Sequence, residues 1–445
     1  MVKTVNWRDL LEPQTKIRDP LYGYIWVTDD ELQIIDTPIF QRLRRVNQLA
    51  LTKYVYPTAE HSRFVHSLGA MHCATQIFTG ILNNTHSYHG IRAIDSANML
   101  RRLRYAALLH DIGHIAFSHA AEKLILNPLQ HEHLGQFIIA NYSPISSILG
   151  EHIKPVISIL ADSVTQDNRL LHQIISGHLD ADRADYLMRD SHACGVKYGE
   201  YDFERYMQAF GAINESNELK LFVHERDIFV IESFLVARHH YNMQVPYHRT
   251  RMGYDIILGR FLKEFLPKCD DAKLGLTVEE GAYTKVDLQK FEFFDDYSVF
   301  NHIKHEARTG NLWANMLLRQ GHLCPVYDTT DSVDRGGKVF KKIIRRLKAK
   351  NFVEDDDFFQ CRKEITASKL ISTDEKENSL ADTSRETIYV RTKSGKLVDI
   401  VKHSNIVRAL RPVTIYRIYT SQKRKSEAEA VIADVCRKTQ VDRRG

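Results

Sequence analysis

The segment Leu108 to Ala120, "LLHDIGHIAFSHA", sets three histidines and an aspartate inside a run that is otherwise apolar. Such a run has to be buried, and burying imidazoles and a carboxylate is costly unless they are hydrogen-bonded, paired or held on a cation. A single histidine on an apolar face is ordinarily a hydrogen-bonded core residue. Here further titratable groups accumulate: His61, Arg63 and His66 in "HSRFVHSLG", His114 and His119, "HEH" at His131 to His133, and "LDADRADYLMRD" with four aspartates. Their number argues for a bound cation or a substrate anion. Adjacent His110 and Asp111 offer an imidazole nitrogen and a carboxylate oxygen, donors that suit zinc, iron or manganese at about 2.0 to 2.2 Å.

With 445 residues, 43% apolar and 26% charged, the chain can bury a large core in more than one lobe. The cysteines Cys73, Cys194, Cys269, Cys324, Cys361 and Cys436 form no CxxC pair, which points away from disulfides or a thiolate zinc site and fits a reducing cytosol. The start, "MVKTVNWRDLLEPQTK", has no apolar signal region, and no run approaches the ~18 residues of a membrane span. A soluble, cytoplasmic protein without membrane contact is expected. The net charge of +5 is mild, with basic concentrations in "KKIIRRLKAK" and "SQKRKSEAEA" that read first as solvated helix faces.

Helical periods dominate to about residue 265, which predicts a mainly α fold with a helical core over residues 1–265 and a smaller α+β lobe over 266–445. "RDPLYGYIWVTDDELQIIDTP" reads as a strand or hairpin, then Asp36 or Thr37 caps a helix opened by Pro38 and running through "IFQRLRRVNQL". Another helix follows "PTAEHSRF", and a third spans "SANMLRRLRYAALLHDIGH", ending near Gly113 with His110 or Asp111 on its buried face. Farther on, "TIYVRTKSGKLVDIV" reads as a hairpin, "VTIYRIYTS" as a strand, "KSEAEAVIADVCRK" as a helix and residues 371–386 as a mobile polar loop.

"HSRFVHSLG", "LLHDIGHIAFSH", "QHEHLG" and "LDADRADYLMRDSHACGVKYG" stand in the order typical of the HD-domain deoxynucleoside triphosphate triphosphohydrolases. The chain resembles a bacterial-type member of that family, from about Asp19 to Tyr247. The resemblance implies hydrolysis of dNTPs to deoxynucleoside and inorganic triphosphate, with His66, His110, Asp111 and Asp182 holding a divalent cation: magnesium, manganese, iron, zinc or nickel. It makes His119 the general acid, oriented by Glu122, with His114 and His131 against the α-phosphate. The runner-up assignment exchanges these histidines' roles. Arg63 and Arg183 would meet the triphosphate; family members often carry lysine at the latter position, which keeps the charge and changes the geometry. Gln48 and Asp190 match the positions that hydrogen-bond the 3′-hydroxyl, Leu49 a further substrate-binding position, and Tyr186 the ring that excludes a 2′-hydroxyl. Tyr247 would pack near the sugar and base, although Met243 replaces a histidine found in a family member four residues before that tyrosine.

"IDTPIFQRLRR" resembles the segment that receives an activating dNTP or GTP at a subunit interface, with Asp36, Gln41 and Arg44 at the recognising positions, and implies a homo-oligomer from dimer to hexamer. A helix cap and a surface charge account for the same residues locally. The alternatives are an HD-type nuclease or a deoxynucleoside monophosphate phosphohydrolase, with the basic stretches tracking single-stranded nucleic acid, and a non-catalytic nucleotide sensor.

Overall fold

The structure, a computed structural model, describes residues 4–84, 93–161, 164–215, 218–270, 272–319, 321–329, 337–365 and 387–441. It is mainly α-helical with small sheets. The expected polar loop at 371–386 lies outside the described residues. Among the described residues no helix is long and apolar enough to cross a membrane.

Two compact units share the chain: Met1–Tyr241 with Cys269–Val299 and Ala367–Arg411, and Asn242–Lys268 with Phe300–Thr366 and Pro412–Gly445. The single cut expected after residue 265 is therefore corrected to an interleaved division. One reason is a strand pairing invisible to local pattern. The hairpin Tyr389–Arg391 and Leu397–Asp399 extends the Phe210–Glu215 and Glu218–His224 sheet of the first unit, with Phe222 opposite Tyr389 in parallel register.

In the first unit the early hairpin forms as Thr15–Asp19 against Gly23–Val27. The helix opened by Pro38 runs to Arg42 and tightens into a 3-10 turn at Leu43–Arg45, with the Arg42 guanidinium buried on the Phe294 and His114 carbonyls. Thr37 is its N-cap, without a side-chain cap bond, while Asp36 ends the preceding Asp29–Ile35 helix. The long helix Arg63–Asn83 packs against Ala93–Leu109 and against Ala181–Cys194. Gly69 makes the second contact possible, since a Cβ there would lie 1.9 Å from Asp185 Oδ1.

The second unit centres on a three-stranded antiparallel sheet, Cys324–Asp328, Val413–Thr420 and Phe358–Ile365, with Val413–Thr420 in the middle. The basic helix Lys338–Ala349 lies against Lys425–Val441 through Phe340, Ile343 and Leu347, which turns its cations outward. Arg346 lies 4.0 Å from Asp434, and Lys348 pairs with Glu354 at 2.5 Å.

Candidate active site

The His110–Asp111 pair sits one step past a helix rather than within it. The Ala93–Leu109 helix ends at Leu109, and residues 110–113 form a turn in which Ile112 N–H donates to Leu109 O and His114 N–H to Asp111 O. The expectation of a helix reaching Gly113 is thus corrected. Gly113 lets the turn press on the backbone of the His131–Asn141 helix, since a Cβ there would lie 2.1 Å from His131 O and 2.4 Å from Gly135 N.

Four groups from three segments converge at this turn. His66 Nδ1 hydrogen-bonds Asp185 Oδ2 at 2.8 Å, which leaves Nε2 facing Asp182 Oδ1 at 3.0 Å and Asp111 Oδ2 at 3.7 Å. His110 Nδ1 donates to Ala107 O at 2.8 Å, and its buried Nε2 has no hydrogen-bond partner while lying 3.4 Å from Asp111 Oδ1 and 3.8 Å from Asp182 Oδ1. Two imidazole Nε2 atoms and two carboxylates therefore face one space, with each ring's Nδ1 committed to an oxygen that fixes its orientation. Burial lowers the His66 imidazolium, but hydrogen bonds to Asp182 and Asp185 outweigh that and raise its pKa to about 10. Burial would raise Asp111, yet Arg63, His110 and His114 hold it well below the usual carboxylate range. Without a cation the carboxylates hold a proton on His66; with that proton displaced, the donor set fits a divalent cation.

A second group of donors, His114, His119, Glu122 and His131, gathers beside the first. Glu122 Oε2 lies 2.7 Å from His119 Nδ1, and Oε1 accepts from both the His131 ring and its backbone N–H at 2.8 Å. Burial would raise the Glu122 carboxyl, but these hydrogen bonds hold it far below its ordinary value. His114 and His131 stack at 3.6 Å with 16° between planes, whereas His66 and His110 meet edge to face at 78°. In-plane lone pairs of stacked rings run side by side and converge poorly on one ion; edge-to-face rings converge well. Both sets bring ligand atoms close enough to hold a metal ion. They touch where His114 Nε2 lies 3.2 Å from Asp111 Oδ1. Burial, then Arg63 and His131, keeps His114 neutral. Within the second group His119 is open to solvent, its side chain 68% exposed.

Asp182, Tyr186 and Asp190 follow one another by four along the Ala181–Cys194 helix, which Asp180 caps by accepting from Arg183 N–H at 2.8 Å. Tyr186 is stacked obliquely near His66 and Tyr241. Asp190 is held by His61 Nε2 at 2.7 Å and by the Tyr241 hydroxyl. Gln48 Oε1 is buried without a partner, and neighbouring Leu49 is buried. Arg63 is spent inside the site, on Asp111 at 2.5 Å and Ser118 Oγ at 2.8 Å. Arg183 folds back on Asp180 and on the Gly177 carbonyl. Tyr247 belongs to the second unit, where its carbonyl accepts from Arg417 at 2.5 Å; the tyrosine beside Tyr186 is Tyr241. Away from this site, Arg44 donates to Gln41 Oε1 at 2.8 Å and lies 3.5 Å over the Phe64 ring, and Asp36 is exposed.

Three supporting residues escape a motif-based reading. Asp185 receives His66, both arms of Arg189 and the Tyr22 hydroxyl, and Arg189 continues to Asp19 at 2.9 Å. Its spacing of three from Asp182 on a helix was the available signal. Tyr241 holds Asp190. Arg238 is 8% exposed, with Nε and Nη1 lacking hydrogen-bond partners, a costly state for a guanidinium that an anion would relieve.

Residues 63–190 match the HD domain family model. An uncharacterized protein of Methanocaldococcus jannaschii is 36% identical over 58% of this chain and 51% of its own length. The human deoxynucleoside triphosphate triphosphohydrolase is 26% identical over 56% of this chain and 44% of its own. A hypothetical protein of Aquifex aeolicus, solved as a crystal structure, superposes with a TM-score of 0.75 at 26% identity, covering 94% of this chain and 99% of that one. The chain spans about half the length of the curated relatives it matches. The segment that carries both donor clusters is the one that matches the HD domain.

Proposed function

We propose that the protein hydrolyses deoxynucleoside triphosphates to deoxynucleoside and inorganic triphosphate. The observation that carries this reading is the contact between a cation cradle and a separate, solvent-reaching acid relay through Asp111 and His114. His66, His110, Asp111 and Asp182 would hold the cation, which when bound supplies Lewis acidity to a phosphoryl oxygen. His119 donates the proton that the leaving 5′-oxygen needs, Glu122 orients its ring, and His131 shares that carboxylate. Arg238 meets the triphosphate, joined by Arg183 and Arg63 once nucleotide draws them from their present partners. Asp190 and Gln48 bind the sugar hydroxyl, and Tyr186 closes against the 2′ position. The human relative's name supports the choice of substrate class. A homo-oligomer activated by dNTP or GTP at Asp36, Gln41 and Arg44 completes the reading.

The test is incubation of metal-replete protein with each of four dNTPs and with GTP, products being separated by ion-exchange chromatography. Triphosphate with deoxynucleoside is expected. Release of diphosphate or monophosphate would move the protein to the nuclease or monophosphatase alternatives.

A further inference from the structure

Phe117 and Ser118 immediately precede His119 with φ of 57° and 51°, left-handed backbone that neither side chain favours. Such strain persists only where the surroundings over-determine it. One distant segment of the same unit supplies the restraint. Phe117 N–H donates to Asp296 Oδ1 at 2.7 Å, and Asn47 N–H donates to Asp296 Oδ2 at 3.0 Å. Both oxygens of a carboxylate that is 2% exposed are thus spent on backbone amides of two separate loops. Two residues earlier, Phe294 O accepts from Arg42 Nε at 3.0 Å and Nη2 at 2.6 Å, while Arg42 Nη1 donates to His114 O at 2.7 Å. Both ends of the His114–Ser118 turn therefore hang on residues 294–296. Asn47 closes the ring, its carbonyl accepting from Ser118 Oγ at 3.4 Å, and the next residue is Gln48 with its unpartnered buried oxygen.

We propose that Asp296 is a positioning residue: by gripping the Phe117 and Asn47 amides it fixes the strained turn before His119, and so aims the His119–Glu122 pair and Gln48 together. This rests on the dNTP hydrolase reading for its kinetic arm. A carboxylate is the only common side chain that offers two equivalent acceptors to two N–H groups; an amide of the same shape offers one acceptor and opposes the second N–H with its own donors.

The experiment uses the full-length, metal-loaded protein with Asp296→Asn, and Asp295→Asn as control. Asp295 bonds Arg45 and Ser298 but neither loop amide. For Asp296→Asn, kcat should fall about ten- to a hundred-fold with KM within about threefold, as expected for misplacement of a reacting group. Metal content should stay unchanged, and amide exchange at Phe117 and Asn47 should quicken about tenfold or more while the Glu218–His224 strand keeps its protection. Asp295→Asn should stay within about twofold of the parent in kcat. Unchanged kcat despite faster exchange would overturn the proposal, as would a kcat loss matched by an equal loss of folded protein. If the parent hydrolyses no dNTP, the functional reading fails, and the proposal is judged by exchange and by the His119 ring-nitrogen NMR signals. Slow Phe117 exchange and unshifted His119 signals in Asp296→Asn would then overturn it.

Discussion

Asp185 lies behind the His66 ring and holds it: its Oδ2 accepts a hydrogen bond from His66 Nδ1 at 2.8 Å while Arg189 grips both carboxylate oxygens. The ring is thereby locked with Nε2 toward Asp182 and Asp111. Asp185→Asn should weaken metal binding about ten- to a hundred-fold, the usual cost of losing an outer-sphere carboxylate. Competition with a fluorescent chelator measures it. Wild-type affinity in the variant would show that His66 needs no such partner.

Removal of the cation should make stability depend on alkaline pH. In the metal-free protein, burial opposes the His66 imidazolium, but Asp182 and Asp185 raise its pKa to about 10 from an ordinary value of 6.5. A folded value above the unfolded one gives stability that is complete below about pH 6.5 and lost as pH rises through about 10. A bound cation requires the neutral ring and displaces that proton. Chelated protein should therefore show a urea midpoint that falls from about pH 7 to 10 more steeply than that of the loaded protein. Parallel profiles for the two forms would contradict the linkage.

His119 and Glu122 should separate chemistry from metal binding. His119→Ala should lower kcat about a hundred- to ten-thousand-fold, the range for loss of a general acid, with metal content unchanged. Glu122→Gln should lower it less, since the histidine remains but its Nδ1 partner is weakened. Loss of metal in His119→Ala would instead assign the second cluster to ion binding.

Much of the first cluster was legible because its donors arrive in short motifs, and because Asp182, Tyr186 and Asp190 repeat at helical spacing. What was illegible lies at long range. Asp185 meets His66 across 119 residues, Asp296 meets Phe117 across 179, and Tyr241 meets Asp190 across 51, and no local periodicity carries such pairings. The same holds for the unit boundary, where a three-residue strand at Tyr389 joins an edge formed some 165 residues earlier. Apolar pattern also carried two helices too far. The helix opened by Pro38 tightens into a 3-10 turn after Arg42, and the one before His110 gives way to the turn at residues 110–113.

Arg238 yields a prediction of opposite signs for stability and binding. Its guanidinium is buried with Nε and Nη1 unpaired, so the nucleotide-free protein bears an uncompensated desolvation cost. Arg238→Met keeps most of the volume and removes the charge. The variant should be as stable as the parent or more so, by up to about 1–3 kcal/mol in urea denaturation without nucleotide. Its KM for dNTP should nonetheless rise about tenfold or more, because a charge-assisted bond to phosphate is lost. Non-hydrolysable dNTP should raise the parent's midpoint far more than the variant's, by the linkage between ligand binding and folding. A destabilised variant with unchanged KM would make Arg238 a packing residue and leave the triphosphate to Arg63 and Arg183.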